Sequence, residues 1–501
     1  MRKKRLMLNT ISSFAFQIAA IVYGFVLPRL ILRAYGSEVN GLVASIEEFL
    51  AVISFLDLGV GAVVRSSMYK PLAERDSAAV SRIVSSAEKF FRNVIYILLV
   101  YIFILMIIYP YIADRNFGWL YTALLIASMS ISSFSQYYFG VVDRLLLTAD
   151  QRSYILYTVQ TAVYAANTIV CALLIKFGAS IHVVKLISSL IFLLRPVVLR
   201  IYVNRHYQLD RHIEYIGEPI KQKWNGFAQH LVSVILNETD TIVLTLFSTL
   251  TNVSVYSVYN LVVYGIRKLM NTLTTGIQAL IGELWATQER DELNRVFGWT
   301  EWVLHTWTTF MYGCTACLIV PFVSVYTAGV TDAEYFQPLF GLLITLAQAS
   351  ICLRLPYNIA ILAGGHYKQT QSSYIAAALM NIIISVAAVK SFGLVGVAVG
   401  TLAAMVFQTV WMAWYISKNL MEWPFINFLK QTLIDAVIFA AAYCASASFE
   451  MRSVSYLSWA VLALKVAAVW LAVTLAVNLL FKPEYVKKLI AKIIPSRVRE
   501  H

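Results

Sequence analysis

About fourteen apolar segments, each roughly 20 residues long, run through this 501-residue chain. A segment of that length and apolarity can cross a bilayer, where helices and closed barrels alone satisfy their own backbone hydrogen bonds. Charged residues make up 13% of the chain, against about 25% in a soluble protein. The sequence therefore predicts an all-α integral membrane protein with spans near 9–33, 39–64, 90–112, 117–142, 154–176, 182–203, 225–248, 252–275, 299–326, 336–363, 371–391, 393–417, 431–449 and 455–481.

The net charge of +13 is read here as an orientation signal, not as a sign of nucleic-acid binding. With the N-terminus in the cytoplasm, roughly 29 of the 40 lysines and arginines fall on the cytoplasmic side, as the positive-inside rule requires. An even number of spans returns the C-terminus to that side, so both termini are predicted to be cytoplasmic. Because no outer connection exceeds about a dozen residues, nothing outside the bilayer would house a catalytic module, and the chain is predicted not to be an enzyme.

An internal repeat relates the two halves of the chain at an offset of about 215 residues. Glu74-Arg-Asp76 matches Glu289-Arg-Asp291, and the segment from Asn167 to Gly178 matches the segment from Asn381 to Gly393. An offset of six spans predicts two parallel six-helix lobes around a central cavity, plus two C-terminal helices. The predicted boundaries are 1–215, 216–420 and 421–501, and the architecture is typical of an alternating-access carrier.

Basic side chains within or next to the spans are the first candidates for a binding site, because a charge at mid-bilayer usually faces a bundle interior or a watery cavity. Arg29 and Arg33 lie one turn apart on one helix face. The alternative for Arg33 and Arg65 is extension to the lipid headgroups. For Lys268 and Arg354 it is a tie between helices. We predict a cationic, substrate-binding cavity formed by Arg29, Arg33, Arg65, Arg267, Lys268 and Arg354.

Acidic side chains within the spans are the second group of candidates. Glu238 and Asp240 lie close to mid-depth of the seventh span, where a short side chain cannot reach an interface. They either pair with a base such as Arg267 or form a proton or cation site. Asp57 is a partner of Arg65 on the same helix face or a gating group.

Other polar residues give weaker signals. Glu301 and His305 share a helix face but lie among tryptophans, so an interfacial aromatic belt is expected there in preference to a metal site. Asp435 is isolated in sequence. Cys314 and Cys317 are expected to be small helix-packing residues. No nucleotide-binding or hydrolase fingerprint is found, and no cofactor or metal is predicted apart from coupling to H⁺ or Na⁺.

Three segments resemble the bacterial polysaccharide-exporter family. They are Leu27–Leu42 with its Pro-Arg and two glycines, Leu56–Gly61 followed by Arg65, and Asp240–Leu244 followed by Val255-Tyr-Ser257. Members of that family flip undecaprenyl-pyrophosphate-linked oligosaccharide, as O-antigen flippases do. The family lies within the larger group that also holds lipid II flippases and MATE antiporters.

The resemblance implies a lipid-linked oligosaccharide flippase of the bacterial inner membrane that serves cell-surface polysaccharide biosynthesis. By position, Arg29, Arg33 and Arg65 would meet the pyrophosphate, and the last two helices would form a groove for the polyprenyl tail. Polar and aromatic residues would line the sugar site; the candidates are Tyr23, Tyr256, Tyr259, Tyr264, Asn260, Asn271 and Gln278. A monomer surrounded by membrane lipids is expected, with polysaccharide-assembly proteins as further candidate partners.

Rival functions are a lipid II flippase and a MATE-type cation-coupled drug antiporter. The antiporter reading is weakened because residues 9–27 contain no charge. A membrane polysaccharide polymerase is disfavoured because the chain lacks a long outer loop.

Overall fold

The structure, a computed structural model, describes residues 2–51, 55–113, 117–211, 213 and 239–493. All regular elements in these ranges are helical. They are α1 (Arg2–Ala51), α2 (Phe55–Glu74), α3 (Ser77–Ala113), α4 (Trp119–Ser135), a π-helical segment (Gln136–Gly140), α5 (Val141–Ala149), α6 (Ser153–Lys176), α7 (Ile181–His206), α8 (239–247), α9 (Leu250–Ala286), α10 (Arg290–Tyr326), α11 (Pro338–Leu353), α12 (Leu355–Ala363), α13 (Tyr367–Asn419), α14 (Phe425–Ser446), α15 (Tyr456–Phe481) and α16 (Pro483–Ile493).

Nine helices in the described part of the chain are long and apolar enough to cross a membrane. Two of them, Met7–Ala51 and Lys368–Asn419, contain 45 and 52 residues. At 1.5 Å per residue each is more than twice as long as a hydrocarbon core of about 30 Å. Each is broken once, at Gly36 (φ 85°) and Gly393 (φ 52°), so each can supply two crossings. The count of nine is lower than the fourteen predicted spans for two reasons. A broken helix is counted once, and only the described residues are counted.

Large apolar side chains cover the outside of the helices. Leu457, Leu464 and Leu480 are each more than 70% exposed, which a protein in water could not tolerate over so large a surface. The interior holds polar groups such as Asn167 and Asn381 instead. The predicted class, an all-α multi-pass membrane protein, is confirmed.

The chain divides into two compact units, Met1–Ser254 and Val255–His501. In the first unit, α6 packs against α1 and α7, and α4 packs against α3 and α7. In the second, α11 packs against α13, while α10 contacts α11, α14 and α15. Each unit therefore has its own helical core. The boundaries predicted at 215 and 420 stay a prediction.

The two halves repeat the same backbone conformations as well as similar sequences. Helices α3 and α10 both contain 37 residues, and α5 and α12 both contain nine. Left-handed residues end matching helices in three pairs, 213 to 215 residues apart: Arg75 with Gln288, Gln151 with Gly365, and Gly178 with Gly393. Equivalent positions can therefore be compared across the halves.

Close contact between α10 and α15 depends on one glycine. A Cβ atom on Gly313 would lie 1.8 Å from the ring of Trp470, and this ring is completely buried. No residue with a side chain fits there unless α15 moves away. The last two transmembrane helices, α14 and α15, are thus part of the second unit's core.

Candidate functional site

The basic residues predicted in the first half all lie in the first unit. Arg29 follows Pro28 in α1 and is half-buried, and Arg33 is exposed one turn further on. Arg65 is half-buried in α2. Their predicted role in phosphate binding stays a prediction, because no ligand is present.

The acidic candidates are described only in part. Asp57 lies in α2, but its side chain is outside the described part of the structure, as is the whole of Glu238. Asp240 lies in α8, one residue after the described part of this helix begins, and is only 5% exposed. Its gating or ion-binding role stays a prediction.

The basic residues predicted in the second half form a group within the second unit, here called the second-unit cation group (Arg267, Lys268 and Arg354). Arg267 of α9 donates to Gln348 Oε1 at 3.2 Å and lies over the ring of Tyr264 at 4.6 Å. The Lys268 ammonium is 5.1 Å from the same ring centre. Cation–π contact and a neutral amide hold these charged groups in place.

Arg354 occupies the break between α11 and α12. Its guanidinium donates to Gln408 Oε1 and faces Met405 Sδ at 3.8 Å. Its charge also acts on Arg267. Gln408 and Gln348 both come from inside apolar helices, so the sequence positions two neutral acceptors against two half-buried arginines.

A polar cavity of about 210 Å³ lies inside the first unit beside the π-helical segment. Its wall includes Arg144 and Arg195 together with Gln136, and no acidic side chain is among its described lining residues. A π-helical turn inside an α-helix is rare and often marks a functional site. This cavity is here called the arginine cavity.

Aromatic rings form another part of the wall. Tyr164 packs edge-on against Phe192 and Tyr23, with ring centres 5.4 and 4.9 Å apart. With the Gln160 amide oxygen turned toward Arg195, that oxygen accepts from Nη2 at 2.6 Å and from Nε at 3.2 Å. The cavity thus combines fixed cations, amides, hydroxyls and ring faces.

A second cavity of about 300 Å³ shares Ser132, Ser133, Gln136 and Phe192 with the arginine cavity. It holds the ion pair between Lys185 Nζ and Glu47 Oε1, which are 2.7 Å apart. Sequence reasoning did not single out Glu47, Lys185 or Arg195. All three lie within predicted spans, so the rule that flags charge inside a span would have found them.

The predicted sugar-lining tyrosines do not share one environment. Tyr23 lines the second cavity. Tyr259 is completely buried and donates to the backbone carbonyl of Tyr335 at 2.9 Å, and Tyr256 is 4% exposed. Tyr256 and Tyr259 pack within the second unit, whereas Tyr264 is exposed. The helical period of 3.6 residues alone could not predict which of the three would be buried.

An apolar groove of about 430 Å³ lies between α10, α11, α14 and α15. Its walls are mostly aliphatic and aromatic, with Leu339, Leu462 and Val466 among them. The groove lies beside the last two transmembrane helices, and its role in holding a polyprenyl tail stays a prediction.

Two buried clusters of acidic side chains were not expected. In the first unit, Asp143 lies between Arg211 at 2.8 Å and Arg200 at 3.3 Å, and Glu88 also contacts both arginines. We call it the arginine clamp. In the second unit, Asp435, which is isolated in sequence, is bound to His305, and both side chains are buried. The aromatic belt expected around Glu301 and His305 stays a prediction.

Among the described residues, no group of three or more His, Cys, Asp or Glu side chains is arranged to hold a metal ion. Cys314 and Cys317 are half-buried free thiols in α10. The polar sites are therefore suited to binding by charge and hydrogen bonds.

No protein-family model matches the chain, and no curated protein sequence matches it. Its fold does match solved structures. The lipid II flippase MurJ in an inward closed conformation superimposes with a TM-score of 0.69 at 14% identity, over 96% of this chain and 100% of that one. The Vibrio cholerae MATE transporter VcmN gives 0.59 at 11% identity, over 85% and 98%.

The chain therefore has the same fold as these two solved structures. The eukaryotic MATE transporter AtDTX14 also shares it, with a TM-score of 0.59 at 13% identity over 83% of this chain and 95% of that one. All three neighbours are transporters or flippases, in agreement with the prediction of a transporter and not an enzyme. At these identities the fold alone is shared, and the function of this chain has to be argued from its site.

Proposed function

We propose that this protein flips undecaprenyl-pyrophosphate-linked oligosaccharide from the cytoplasmic to the outer leaflet of the bacterial inner membrane by alternating access. Both termini would lie in the cytoplasm, and the product would feed cell-surface polysaccharide biosynthesis. The observation that carries the proposal is the arginine cavity, in which Arg144 and Arg195 line a space without an acidic side chain among its described lining residues. A cavity of that charge suits an anion and disfavours a cation.

The pyrophosphate is the first of three parts of the cargo. Arginine binds phosphate oxygens through two parallel N–H donors, and such charge-assisted bonds are about twice as strong as neutral ones. Arg144 and Arg195 would form this contact, and the predicted cations Arg29, Arg33 and Arg65 belong to the same unit. In the second unit, the second-unit cation group would bind the anion at another stage of the cycle.

The sugar is the second part. Its hydroxyl groups need amides and hydroxyls, and its C–H faces pack on aromatic rings. Gln136, Ser132 and Ser133 supply the polar groups, while Tyr164 and Phe192 supply ring faces. Both kinds of surface border the cations, as a pyrophosphate-linked sugar requires.

The polyprenyl tail is the third part. The groove of about 430 Å³ beside α14 and α15 is apolar, and an isoprenoid chain can lie in it without leaving the hydrocarbon. The membrane potential helps the transfer, because moving one negative charge out of a negative interior gains about 2.3 kcal/mol per 100 mV. Asp57, Glu238 and Asp240 would gate or couple the return step with H⁺ or Na⁺.

A lipid II flippase is the alternative with the same chemistry, because lipid II also carries a pyrophosphate on a polyprenyl chain. Cation-coupled drug antiport is supported less well. It needs an available acid in a cavity, and the acid present there, Glu47, is bound to Lys185.

The proposal is tested in sealed liposomes that carry a labelled lipid in the inner leaflet. Three cargoes are compared: undecaprenyl-pyrophosphate oligosaccharide, lipid II and a cationic dye. A membrane-impermeant reagent measures the lipid that reaches the outside. We expect the oligosaccharide lipid to move and Arg195→Gln to slow it at least tenfold, while Arg452→Gln, in an exposed loop, has no effect. Faster movement of lipid II would identify the alternative, and movement of the dye alone would refute both.

A further inference from the structure

A chain of four polar side chains joins three helices inside the second unit. Asp435 Oδ2 of α14 lies 2.7 Å from His305 Nδ1 of α10, and His305 Nε2 lies 3.1 Å from the Tyr357 hydroxyl of α12. That hydroxyl lies 2.6 Å from Glu301 Oε1 of α10. All four are at most 6% exposed, and His305 is completely buried. We call this the acid–histidine chain.

Both ends of the chain are held by donors that do not titrate. The indole of Trp423 donates to Glu301 Oε2 at 3.0 Å, and the amide of Gln431 donates to Asp435 Oδ1 at 3.2 Å. Each carboxylate therefore has one oxygen fixed and the other directed into the chain. The two donors come from α14 and from the turn before it.

Proton counting fixes the state that this geometry requires. Three contacts in series need three protons, and Tyr357 supplies one, so Glu301, His305 and Asp435 must hold two between them. The two can sit on the histidine ring, or one can sit on the ring and one on either carboxyl group. These arrangements interconvert when protons shift along the chain, and the titration belongs to the group as a whole.

Loss of one of the two protons changes the contacts. One of the three contacts would then join two acceptors, which repel each other at hydrogen-bond distance in a site of low dielectric. The repulsion would fall on a contact between α10 and either α12 or α14. The proton count of the chain therefore determines how firmly α14 is held to α10.

The charged and titratable surroundings are few. Lys482, after α15, and Tyr485 of α16 interact electrostatically with the Glu301 carboxyl group. Phe428 of α14 packs edge-on against Tyr357. The half-buried Trp423 borders the end of the chain, where a released proton would pass to water.

We propose that Glu301, His305, Tyr357 and Asp435 form a proton-binding site whose occupancy controls the attachment of α14 to α10. The consequence for transport rests on the proposed flippase function. Protonation would keep α14, which lines the apolar groove, packed against α10, and proton release would allow α14 to move. The bound species is H⁺, taken from and returned to water, with no other bond formed or broken. This assigns a coupling ion and a site for it in the second unit.

Proton binding is measured first, without any cargo. The protein carrying ¹⁵N-labelled histidine is placed in liposomes, and the ring nitrogens are followed by solid-state NMR across pH, with His305 assigned from His305→Gln. We expect the His305 signals to titrate, and both Glu301→Gln and Asp435→Asn to displace that titration. Glu422→Gln, which removes an exposed acid next to Trp423, should leave it unchanged. A His305 signal that does not titrate, or that ignores both substitutions, overturns the site.

Coupling is measured second, as the flipping rate with and without an imposed pH gradient. Asp435→Asn should abolish the response to the gradient while Glu422→Gln retains it, with gel filtration confirming that both variants are folded. A response retained in Asp435→Asn overturns the coupling. If the wild type flips none of the lipids, the proposed function fails, but the NMR titration still decides the proton site.

Discussion

Equivalent places in the two halves hold two different buried clusters. Glu88 and Asp143 of the arginine clamp correspond, 213 and 214 residues further along, to Glu301 and Tyr357 of the acid–histidine chain. In the first unit two arginines neutralise the two acids. In the second the neutralising group is a histidine, and the other acid comes from α14.

The two clusters differ in whether their positive charge can change with pH. Arginine stays charged at every pH that a protein meets, so the arginine clamp keeps its contacts. Histidine changes charge near neutral pH, so contacts that depend on it can be switched by protons. Equivalent positions thus hold contacts that do not depend on pH in the first unit and contacts that depend on a bound proton in the second.

A second pair of equivalent places differs in charge. Arg144 of the arginine cavity corresponds, 214 residues on, to Asn358 of α12, and Thr409 of α13 is a further neutral residue of the second unit. Asn358 accepts from the hydroxyl of Tyr374 at 2.9 Å, and Thr409 donates to the Ser350 carbonyl at 2.9 Å. The first unit therefore has charge where the second has internal hydrogen bonds, which favours anion binding in the first.

The largest expected effect tests the arginine clamp. Asp143→Asn leaves two arginines against one acid, and breaking a buried ion pair on one side costs about 3 kcal/mol of unfolding free energy. The control Glu74→Gln removes an exposed pair with Lys70 and should cost under about 0.5 kcal/mol. Unfolding in mixed detergent micelles measures both. Equal losses would show that the clamp is not a structural tie.

The next effect tests the arginine cavity. Arg144→Gln combined with Arg195→Gln should slow flipping of a pyrophosphate-linked lipid about 30-fold, because a hydrogen bond to a charged group is worth about 2 kcal/mol. The control pair Asn358→Ala and Thr409→Ala in the second unit should slow it less than about threefold, because each substitution removes one neutral hydrogen bond. The rates come from the liposome assay. A larger effect from the second pair would place the anion site in the second unit.

Membrane class and the repeat could be predicted from sequence because they depend on composition and on spacing. A hydropathy rule is sufficient to find fourteen apolar segments. Gly178 and Gly393 belong to a repeat that is visible in the sequence at an offset of about 215 residues. The breaks inside segments were harder to foresee. The π-helical turn at Gln136–Gly140 arises where Gly140 packs on Pro196 of α7, a contact that only the folded unit shows.

The site was less predictable for the same reason. Asp435 and His305 are 130 residues apart, and neither has a neighbour in sequence that indicates the other. The tryptophans around His305 suggested an interface, yet Trp302 is 3% exposed and donates to Asn478 at 2.6 Å. Charge inside a span was the useful signal, and it is strongest where two such charges are brought together by tertiary packing.

The smallest effect tests the acid–histidine chain. Tyr357→Phe removes the hydroxyl between His305 and Glu301 and should cost about 1 kcal/mol of unfolding free energy. Above about pH 6.5, where an ordinary histidine loses its charge, the folded protein holds one more proton on these residues than the unfolded protein does. The stabilisation is therefore complete below that pH and declines as pH rises, so the difference between Tyr357→Phe and wild type should shrink on the alkaline side. Asp143→Asn, at the equivalent place, should lower the unfolding free energy by the same amount below and above that pH, because the arginines that contact Asp143 do not titrate. A pH-independent cost for Tyr357→Phe would mean that both ties are fixed, and the distinction between the two units would disappear.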